Sequence, residues 1–199
     1  MFAAAAGLFV VAYYWGNRYQ YGVLRPPAVE AVLVRPAPRL PAFELQDASG
    51  APFTSDDLGG RWTLIAIGDL AQARGHLTVS RMLGVANALS EERDLAPKLQ
   101  LALAARGEPS ELTRDFARLS RALRILSGEP GALEPLRTAL GEPEEEPPGE
   151  PGAGAPIYQI DPRGRLVALY LPGQSTESIA ADLRTLATRP DALPEPADD

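Results

Sequence analysis

Residues 157–187 read IYQIDPRGRLVALYLPGQSTESIAADLRTLA, and they carry the strongest indication of the fold class. Two runs of apolar, β-branched and aromatic residues, 157–160 and 166–171, flank Asp161-Pro162-Arg163-Gly164, which is a sequence typical of a tight turn. We expect these runs to form an antiparallel hairpin. Apolar residues then recur at helical spacing, so a helix is predicted over 176–187.

Upstream of the hairpin, strand-like and helix-like patterns alternate. Residues 62–67 (WTLIAI) are continuously apolar, which is typical of a central strand buried on both faces. An earlier hairpin is predicted over 42–54, where Phe43 and Leu45 lie on one face. The other predicted elements are a helix over 76–91, a strand over 99–104, a helix from Ser110 with Leu112, Phe116, Leu119 and Leu123 on one stripe, a strand over 124–126 and a helix over 131–140.

The order of these elements predicts an α/β fold with a mixed sheet. Strands that alternate with helices imply parallel crossovers, and the closing hairpin adds an antiparallel strand. This order fits a thioredoxin-like three-layer sandwich. A doubly wound flavodoxin-like fold fits less well, because a four-residue turn joins the last two strands.

The composition excludes several classes of chemistry. The chain of 199 residues contains no cysteine, which excludes disulfides, thiolate metal sites and thiol-based redox catalysis. Its single histidine, His76, excludes a multi-histidine zinc or copper site within one chain. The net charge of −7 argues against nucleic acid as a partner.

The N-terminus is predicted to be a membrane anchor over residues 1–22. Residues 2–15 (FAAAAGLFVVAYYW) are uncharged and apolar, and further tyrosines follow, as in the aromatic belt at a membrane interface. As a helix these residues span about 21 Å, which is short against a hydrocarbon core of about 30 Å. Two alternatives stay open: a soluble amphipathic helix, and a true start upstream of Met1.

Proline and charge divide the remainder of the chain. A proline-rich tether is predicted over 23–41 and a globular domain over 42–188. Within the domain, residues 141–156 are acidic and rich in proline and glycine, and we expect a solvated loop there. Residues 189–199 are expected to form a disordered tail.

Three segments of the chain resemble the Sco/SenC family of membrane-anchored copper chaperones for cytochrome c oxidase assembly. Residues 40–68 (LPAFELQDASGAPFTSDDLGGRWTLIAIG) resemble the opening hairpin, the Leu-x-Gly-x-Trp step and the first core strand of that family. Residues 125–130 (ILSGEP) resemble a step before a short helix, and residues 158–183 are similar to the closing hairpin and helix. The resemblance covers residues 40–188.

The resemblance implies a copper site whose ligands this chain lacks. The family uses two cysteines in a Cys-x-x-x-Cys loop and one histidine, and these positions correspond to Gln72, His76 and Ala153. We therefore expect a degenerate relative without a metal, a cofactor or enzymatic activity. A related alternative is the TlpA or peroxiredoxin-like branch of the fold, whose mark is a proline, commonly cis, before the closing hairpin. Ala155-Pro156 lies near that position.

Other candidate chemical groups have plain structural interpretations. His76 has no evident metal-binding partners, since Met82 does not share its helix face. Asp56, Asp57 and Asp161 lie in turn sequences, where Asp commonly accepts local backbone hydrogen bonds. Ser110, Ser127 and Ser175 have no nearby histidine, and no glycine-rich phosphate loop follows a strand.

We therefore expect an accessory protein that acts through contacts with other proteins. It is predicted to be a single-pass protein of the inner membrane with a periplasmic domain. The expected partners are integral membrane or assembly proteins, with cytochrome c oxidase subunits as the leading example. The candidate contact residues are Asp69, Leu70, Arg74 and His76. The alternative is an envelope interaction module unrelated to oxidase.

Overall fold

The computed structural model describes residues 28–106, 115, 118, 122–129, 131–143 and 153–188. Its eight strands and three helices are, in chain order, β1 (Val32–Leu33), β2 (Glu44–Asp47), β3 (Pro52–Thr54), β4 (Trp62–Gly68), α1 (Ala73–Ala88), β5 (Leu99–Ala105), β6 (Leu123–Ser127), α2 (Glu134–Leu140), β7 (Ile157–Ile160), β8 (Leu166–Tyr170) and α3 (Thr176–Thr188). Two short 3₁₀ helices, Ser55–Leu58 and Ala96–Lys98, precede β4 and β5.

The strands form one mixed sheet in the order β1-β8-β7-β4-β5-β6-β2-β3. The pairs β4–β5 and β5–β6 are parallel, as crossover connections require, and the other pairs are antiparallel. Each residue of β4 is buried, which explains its continuously apolar sequence. The closing hairpin of β7 and β8 and the opening hairpin of β2 and β3 are therefore confirmed.

The sheet lies between two layers of helix. On one face, Leu64 and Ala66 of β4 pack in a cluster that includes Met82 of α1 and Leu183 of α3. On the other face, Ile65 and Ile67 share a second cluster with Leu136 and Leu140 of α2. This three-layer α/β arrangement is the thioredoxin-like fold that the order of elements predicts.

The hairpin turn between β7 and β8 is held by a buried ion pair. Asp161 Oδ2 accepts a hydrogen bond from Arg165 Nε at 2.8 Å and lies 2.7 Å from Arg165 Nη2. Asp161 Oδ1 accepts the backbone N–H groups of Arg163 and Arg165, each at 2.9 Å. Gly164 has a positive φ of 75°, which a residue without a side chain adopts at little cost. Asp161 is thus a structural residue of the turn.

The structure corrects the predicted tether over 23–41 for the part that it describes. Val32 and Leu33 pair with β8, and Ala31, Ala37 and Leu40 are buried. Proline-rich sequence favours extended backbone both in a tether and at the edge of a sheet. The proline content therefore does not distinguish a tether from an edge strand. From Val29 onward this segment belongs to the domain.

Two further differences concern single residues. Leu123, predicted on a helical stripe, is the first residue of β6. Glu142, predicted in a solvated loop, is buried.

The predicted anchor over 1–22, the core of the acidic loop and the tail over 189–199 lie outside the described residues. Within the described ranges, no helix is long and apolar enough to span a membrane.

Candidate functional site

The candidate site begins with the loop between β4 and α1. Asp69 Oδ1 accepts the backbone N–H of Ala71 at 2.8 Å, and Asp69 Oδ2 accepts a hydrogen bond from Gln72 Nε2 at 3.1 Å. Gln72 is the N-cap residue of α1. Since both carboxylate oxygens of Asp69 are engaged within the loop, this residue shapes the turn that leads into the helix.

The first turn of α1 lies unusually close to this loop because residue 75 is glycine. A Cβ atom at Gly75 would lie 2.1 Å from the carbonyl oxygen of Asp69. Real side chains do not tolerate such a distance. Gly75 therefore permits the close approach that brings positions 72 and 76 to the end of the sheet.

His76 is exposed but locally held. Its Nε2 lies 2.7 Å from the carbonyl oxygen of Leu70, to which it donates because a carbonyl can only accept. Leu70 itself is only 3% exposed and belongs to the core. The prediction of Leu70 as a partner contact is therefore wrong. Its side chain faces the hydrophobic cluster, since the chain has to turn inward before α1.

A second segment, residues 153–156, meets α1 at the same end of the sheet. The N–H of Ala155 donates to Thr78 Oγ1 at 2.7 Å, and Arg81 Nη1 donates to the carbonyl oxygen of Ala155 at 3.2 Å. A Cβ atom at Gly154 would lie 3.0 Å from Thr78 Oγ1. The structure thus brings Ala153 toward the helix that carries Gln72 and His76, although about 80 residues separate them in sequence.

Arg74 and Arg81 lie on the same helix as His76, and both are half-buried. The carbonyl oxygen of Arg74 accepts a hydrogen bond from Thr78 Oγ1 at 2.8 Å. Arg81 was not singled out from the sequence. Its Nη2 donates to the carbonyl oxygens of Leu171 and Gln174. The guanidinium therefore joins α1 to the segment before β7 and to the segment after β8. Burial lowers the pKa of Arg81.

A buried polar cluster anchors the start of the acidic loop. The Tyr158 hydroxyl donates to Glu142 Oε1 at 2.7 Å, and Arg106 Nη2 lies 3.7 Å from Glu142 Oε2. Burial raises the pKa of Tyr158, and the hydrogen bond to Glu142 adds to this effect, so the phenol stays protonated as a donor. Sequence reasoning missed the cluster because Glu142 is the first of five glutamates in an otherwise loop-like segment.

The donor set of the candidate site does not fit the copper ion that the family resemblance implies. Copper(I) favours soft thiolate ligands, and Gln72, His76 and Ala153 supply one imidazole, which is hydrogen-bonded to Leu70. Within the part of the chain that the structure describes, no group of three or more His, Asp or Glu side chains could hold a metal ion.

The remaining predicted residues lie elsewhere. Asp57 Oδ2 accepts the backbone N–H of Thr54 at 2.8 Å, which caps the 3₁₀ helix. Asp56 lines a cleft of about 240 Å³ together with Arg39 and Arg163, at the opposite end of the sheet from His76. Among the described residues, Arg35–Pro36 is the only cis peptide bond, so Ala155–Pro156 is trans, whereas the proline that marks the TlpA or peroxiredoxin-like branch is commonly cis.

Comparison with known proteins identifies the fold. No protein-family model matches the sequence, and a search of curated proteins finds no match. Copper-bound ScoI from Bradyrhizobium japonicum is 23% identical with a TM-score of 0.60, and the match covers 74% of this chain and 98% of that one.

Two further solved structures agree on the fold. BsSco, a member of the Sco family of cytochrome c oxidase assembly proteins with a disulfide switch, is 14% identical with a TM-score of 0.60, and the match covers 76% and 95% of the two chains. The thioredoxin domain of a thiol-disulfide oxidoreductase from Bacteroides vulgatus is 13% identical with a TM-score of 0.54, over 74% and 94%. The chain therefore has the thioredoxin-like fold that Sco proteins share.

Proposed function

We propose that the chain belongs to the Sco/SenC family as a degenerate member without the copper ligands. In this proposal it is a membrane-anchored, redox-inactive and metal-free accessory protein that assists the assembly or stability of a respiratory complex such as cytochrome c oxidase. The fold similarity to Sco proteins over about three quarters of the chain supports the ancestry. The collinear motifs of residues 40–68, 125–130 and 158–183 point the same way.

One observation carries the proposal. The loop that contains Gln72 and the segment that contains Ala153 converge on α1, as the ligand-bearing segments of a Sco site would, yet the chain offers no thiolate ligand. Neither thiol–disulfide exchange nor thiolate coordination of copper is open to this chain. What persists is a shaped surface, so the proposed action is recognition of another protein rather than catalysis.

The proposed anchor explains how a weak contact could suffice. An uncleaved helix within residues 1–22 would hold the domain at the periplasmic side of the inner membrane as a single-pass protein. Tethering to the same bilayer raises the effective concentration of the domain toward an integral partner. The apolar sequence of residues 2–15 and the tyrosines after it support this part of the proposal.

The proposed partner surface is centred on the loop and first turn of α1. Asp69 and Arg74 are half-buried, whereas Gln72 and His76 are exposed. A partner that approaches this end would meet Gln72 and His76 first. The two exposed residues are therefore the positions at which substitution is most informative.

Capture of partners from detergent-solubilised membranes tests the proposal. The tagged full chain is compared with the double variant Gln72→Arg/His76→Glu and with Lys98→Glu, a charge change on an exposed residue at the opposite end of the sheet. Oxidase subunits are expected with the parent chain and with Lys98→Glu, and several-fold less with the double variant. Recovery of no respiratory-complex subunit would contradict the proposed function.

Copper titration tests the metal-free part separately. The purified globular domain, residues 29–188, is expected to take up no stoichiometric Cu(I) in competition with a chelator. Tight binding of one equivalent would overturn this part of the proposal, whatever the capture experiment gives.

A second candidate function is an envelope interaction module unrelated to oxidase. The fold similarity to a thiol-disulfide oxidoreductase domain supports it, because this similarity shows that the same fold occurs outside the Sco proteins. Reproducible capture of a different envelope protein, with loss in the Gln72→Arg/His76→Glu variant, would support this candidate over the first.

A further inference from the structure

The segment before β1 is docked on α3 through a buried carboxylate. Asp182, which is 5% exposed, accepts the backbone N–H of Ala31 at 2.8 Å and that of Glu30 at 3.2 Å. Glu30 is also held by its side chain, since Ser178 Oγ donates to Glu30 Oε2 at 2.6 Å. Gln174 Nε2 donates to the carbonyl oxygen of Glu30 at 3.0 Å. Four contacts therefore fix the direction in which the chain arrives at the domain.

The register of the sheet shows at which end it arrives. Tyr170 of β8 lies opposite Ile157, and Val32 pairs with Leu169. Because β1 and β8 are antiparallel, the residues before Val32 run past the end of β8 beside Leu171. This is the end of the sheet where β4 finishes at Gly68 and where His76 lies. The N-terminal segment and the candidate site thus share one end of the domain, which we call the site end.

The exposed apolar residues also lie toward the site end of the domain. Among the described residues, the large hydrophobic side chains that are exposed are Val32 (49%), Leu77 (37%) and Leu171 (48%). Val32 lies in β1, Leu77 lies near the start of α1, and Leu171 follows the last residue of β8. All three therefore lie toward the site end, beside the arriving segment. Single exposed hydrophobic residues are ordinary, but their grouping at one end indicates a contact.

We infer that the site end of the domain faces the bilayer and that Leu77 and Leu171 contact its interfacial layer. The inference rests on the anchor in the proposed function. Only residues 23–29 separate the predicted anchor from Glu30, the first docked residue, so even a fully extended connection reaches about 25 Å. The docking on Asp182 fixes the point at which this connection leaves the domain, beside the site end. Its opposite end, at the start of β4, lies about 20 Å farther from the membrane, given about 3.3 Å per strand residue.

The absence of cysteine from the chain makes a direct test possible. Single variants Leu77→Cys and Leu171→Cys report on the site end, and Asp56→Cys and Lys98→Cys report on the opposite end, where both residues are exposed. Each full-length variant is labelled with a fluorophore and reconstituted into phosphatidylcholine–phosphatidylglycerol vesicles with nitroxide-labelled headgroups. Several-fold stronger quenching at positions 77 and 171 than at 56 and 98 is expected. Equal quenching at the two ends, or the reverse order, overturns the inference.

Two controls keep the inference distinct from the proposed function. Extraction of the reconstituted protein by alkaline carbonate would show that the anchor fails, which contradicts the proposed function itself. If the protein resists extraction and positions 77 and 171 are quenched no more strongly than positions 56 and 98, the anchor stands and contact of the site end with lipid is wrong.

The docking is tested by Asp182→Ala. With the fold retained, as judged by circular dichroism, the difference in quenching between the two ends should shrink. Ser178→Ala removes one exposed contact of the same segment, and it provides a milder second variant if Asp182→Ala does not fold. An unchanged difference in both folded variants contradicts a role for the docking.

Discussion

Thr78 and Ala155 are joined by a hydrogen bond of 2.7 Å in which the backbone N–H of Ala155 donates to Thr78 Oγ1. The same hydroxyl donates to the carbonyl oxygen of Arg74 one turn earlier in α1, so it acts both as a donor and as an acceptor. Two segments separated by 77 residues are thereby held together at the site end. This bond, rather than any reactive group, gives the candidate site its shape.

Thr78→Val is expected to lower the free energy of unfolding by about 1–3 kcal/mol, because the buried N–H of Ala155 loses its acceptor while the side-chain volume is kept. Denaturant unfolding of the globular domain, residues 29–188, measures the change in the free energy of unfolding. Ser80→Ala, at an exposed position of the same helix, is the control and should differ little from the parent. Equal effects of the two substitutions would show that the bond has no special role.

Gly75→Ala is expected to be more damaging than an alanine substitution usually is within a helix. The new Cβ would lie 2.1 Å from the carbonyl oxygen of Asp69, and a backbone atom cannot rotate away as a flexible side chain can. Overpacking of this kind costs about 1–3 kcal/mol or more. Thermal unfolding measures it, with Asn87→Ala at an exposed position of α1 as the control. A stabilised Gly75→Ala variant would mean that the loop is not held where the structure has it.

The Asp161–Arg165 ion pair is expected to matter far more than exposed pairs do. Arg165→Met leaves the buried Asp161 carboxylate without its cation and should cost about 3 kcal/mol or more. The matched control is Arg184→Met, because its ion pair with Glu92 has both side chains 40% exposed or more and should contribute at most about 1 kcal/mol.

Urea unfolding of both variants gives the comparison. The double variant Asp161→Asn/Arg165→Met should lose less stability than the sum of its single substitutions, since neutralising Asp161 removes the unpaired charge. Strict additivity in this cycle would argue against coupling between the two side chains.

Asp182 predicts a specific pH dependence. Burial raises its pKa, the charge of Glu30 adds to this, and the backbone hydrogen bonds from Ala31 and Glu30 oppose it without cancelling it. Because the folded pKa lies above the unfolded value of 3.8, the stability that this group contributes is fully present below pH 3.8. It is lost as the pH rises through the folded pKa.

The variant Asp182→Asn removes this titration. The stability of Asp182→Asn relative to the parent is therefore expected to increase as the pH rises from below 3.8 toward neutrality. Urea unfolding at a series of pH values measures the difference, and Asp94→Asn at an exposed position serves as the control. A relative stability that falls over the same interval would contradict a raised pKa of Asp182 in the folded protein.

Restoration of the missing ligands tests the positions that the family resemblance assigns. The triple variant Gln72→Cys/His76→Cys/Ala153→His is expected to bind one equivalent of Cu(I), because positions 72 and 76 are one helical turn apart and the segment of residue 153 is bonded to the same helix through Ala155 and Thr78. Chelator competition measures the affinity. The control Ala73→Cys/Leu77→Cys/Ala153→His rotates both thiolates by about 100° around the helix and should bind much more weakly. Equal affinities would show that the assignment is off by a residue.

Local sequence patterns suffice to predict most of the secondary structure. The alternation in residues 42–54, the continuous apolar run of β4 and the turn at Asp161–Gly164 are local signals, and local signals suffice where a residue's neighbours in sequence decide its conformation. The absence of cysteine likewise needed no structure, since it excludes thiol chemistry in any fold of this chain.

Which polar groups are buried and which segments meet depends instead on contacts between distant parts of the chain. Glu142 resembles its solvated neighbours, and it is buried because Tyr158 and Arg106 approach it from other elements. Residues 29–40 have the sequence of a tether, yet they dock because Asp182 and the edge of β8 lie beside them. Contacts between residues far apart in sequence depend on the packing of the whole chain, and for that reason the site end had to be found in three dimensions.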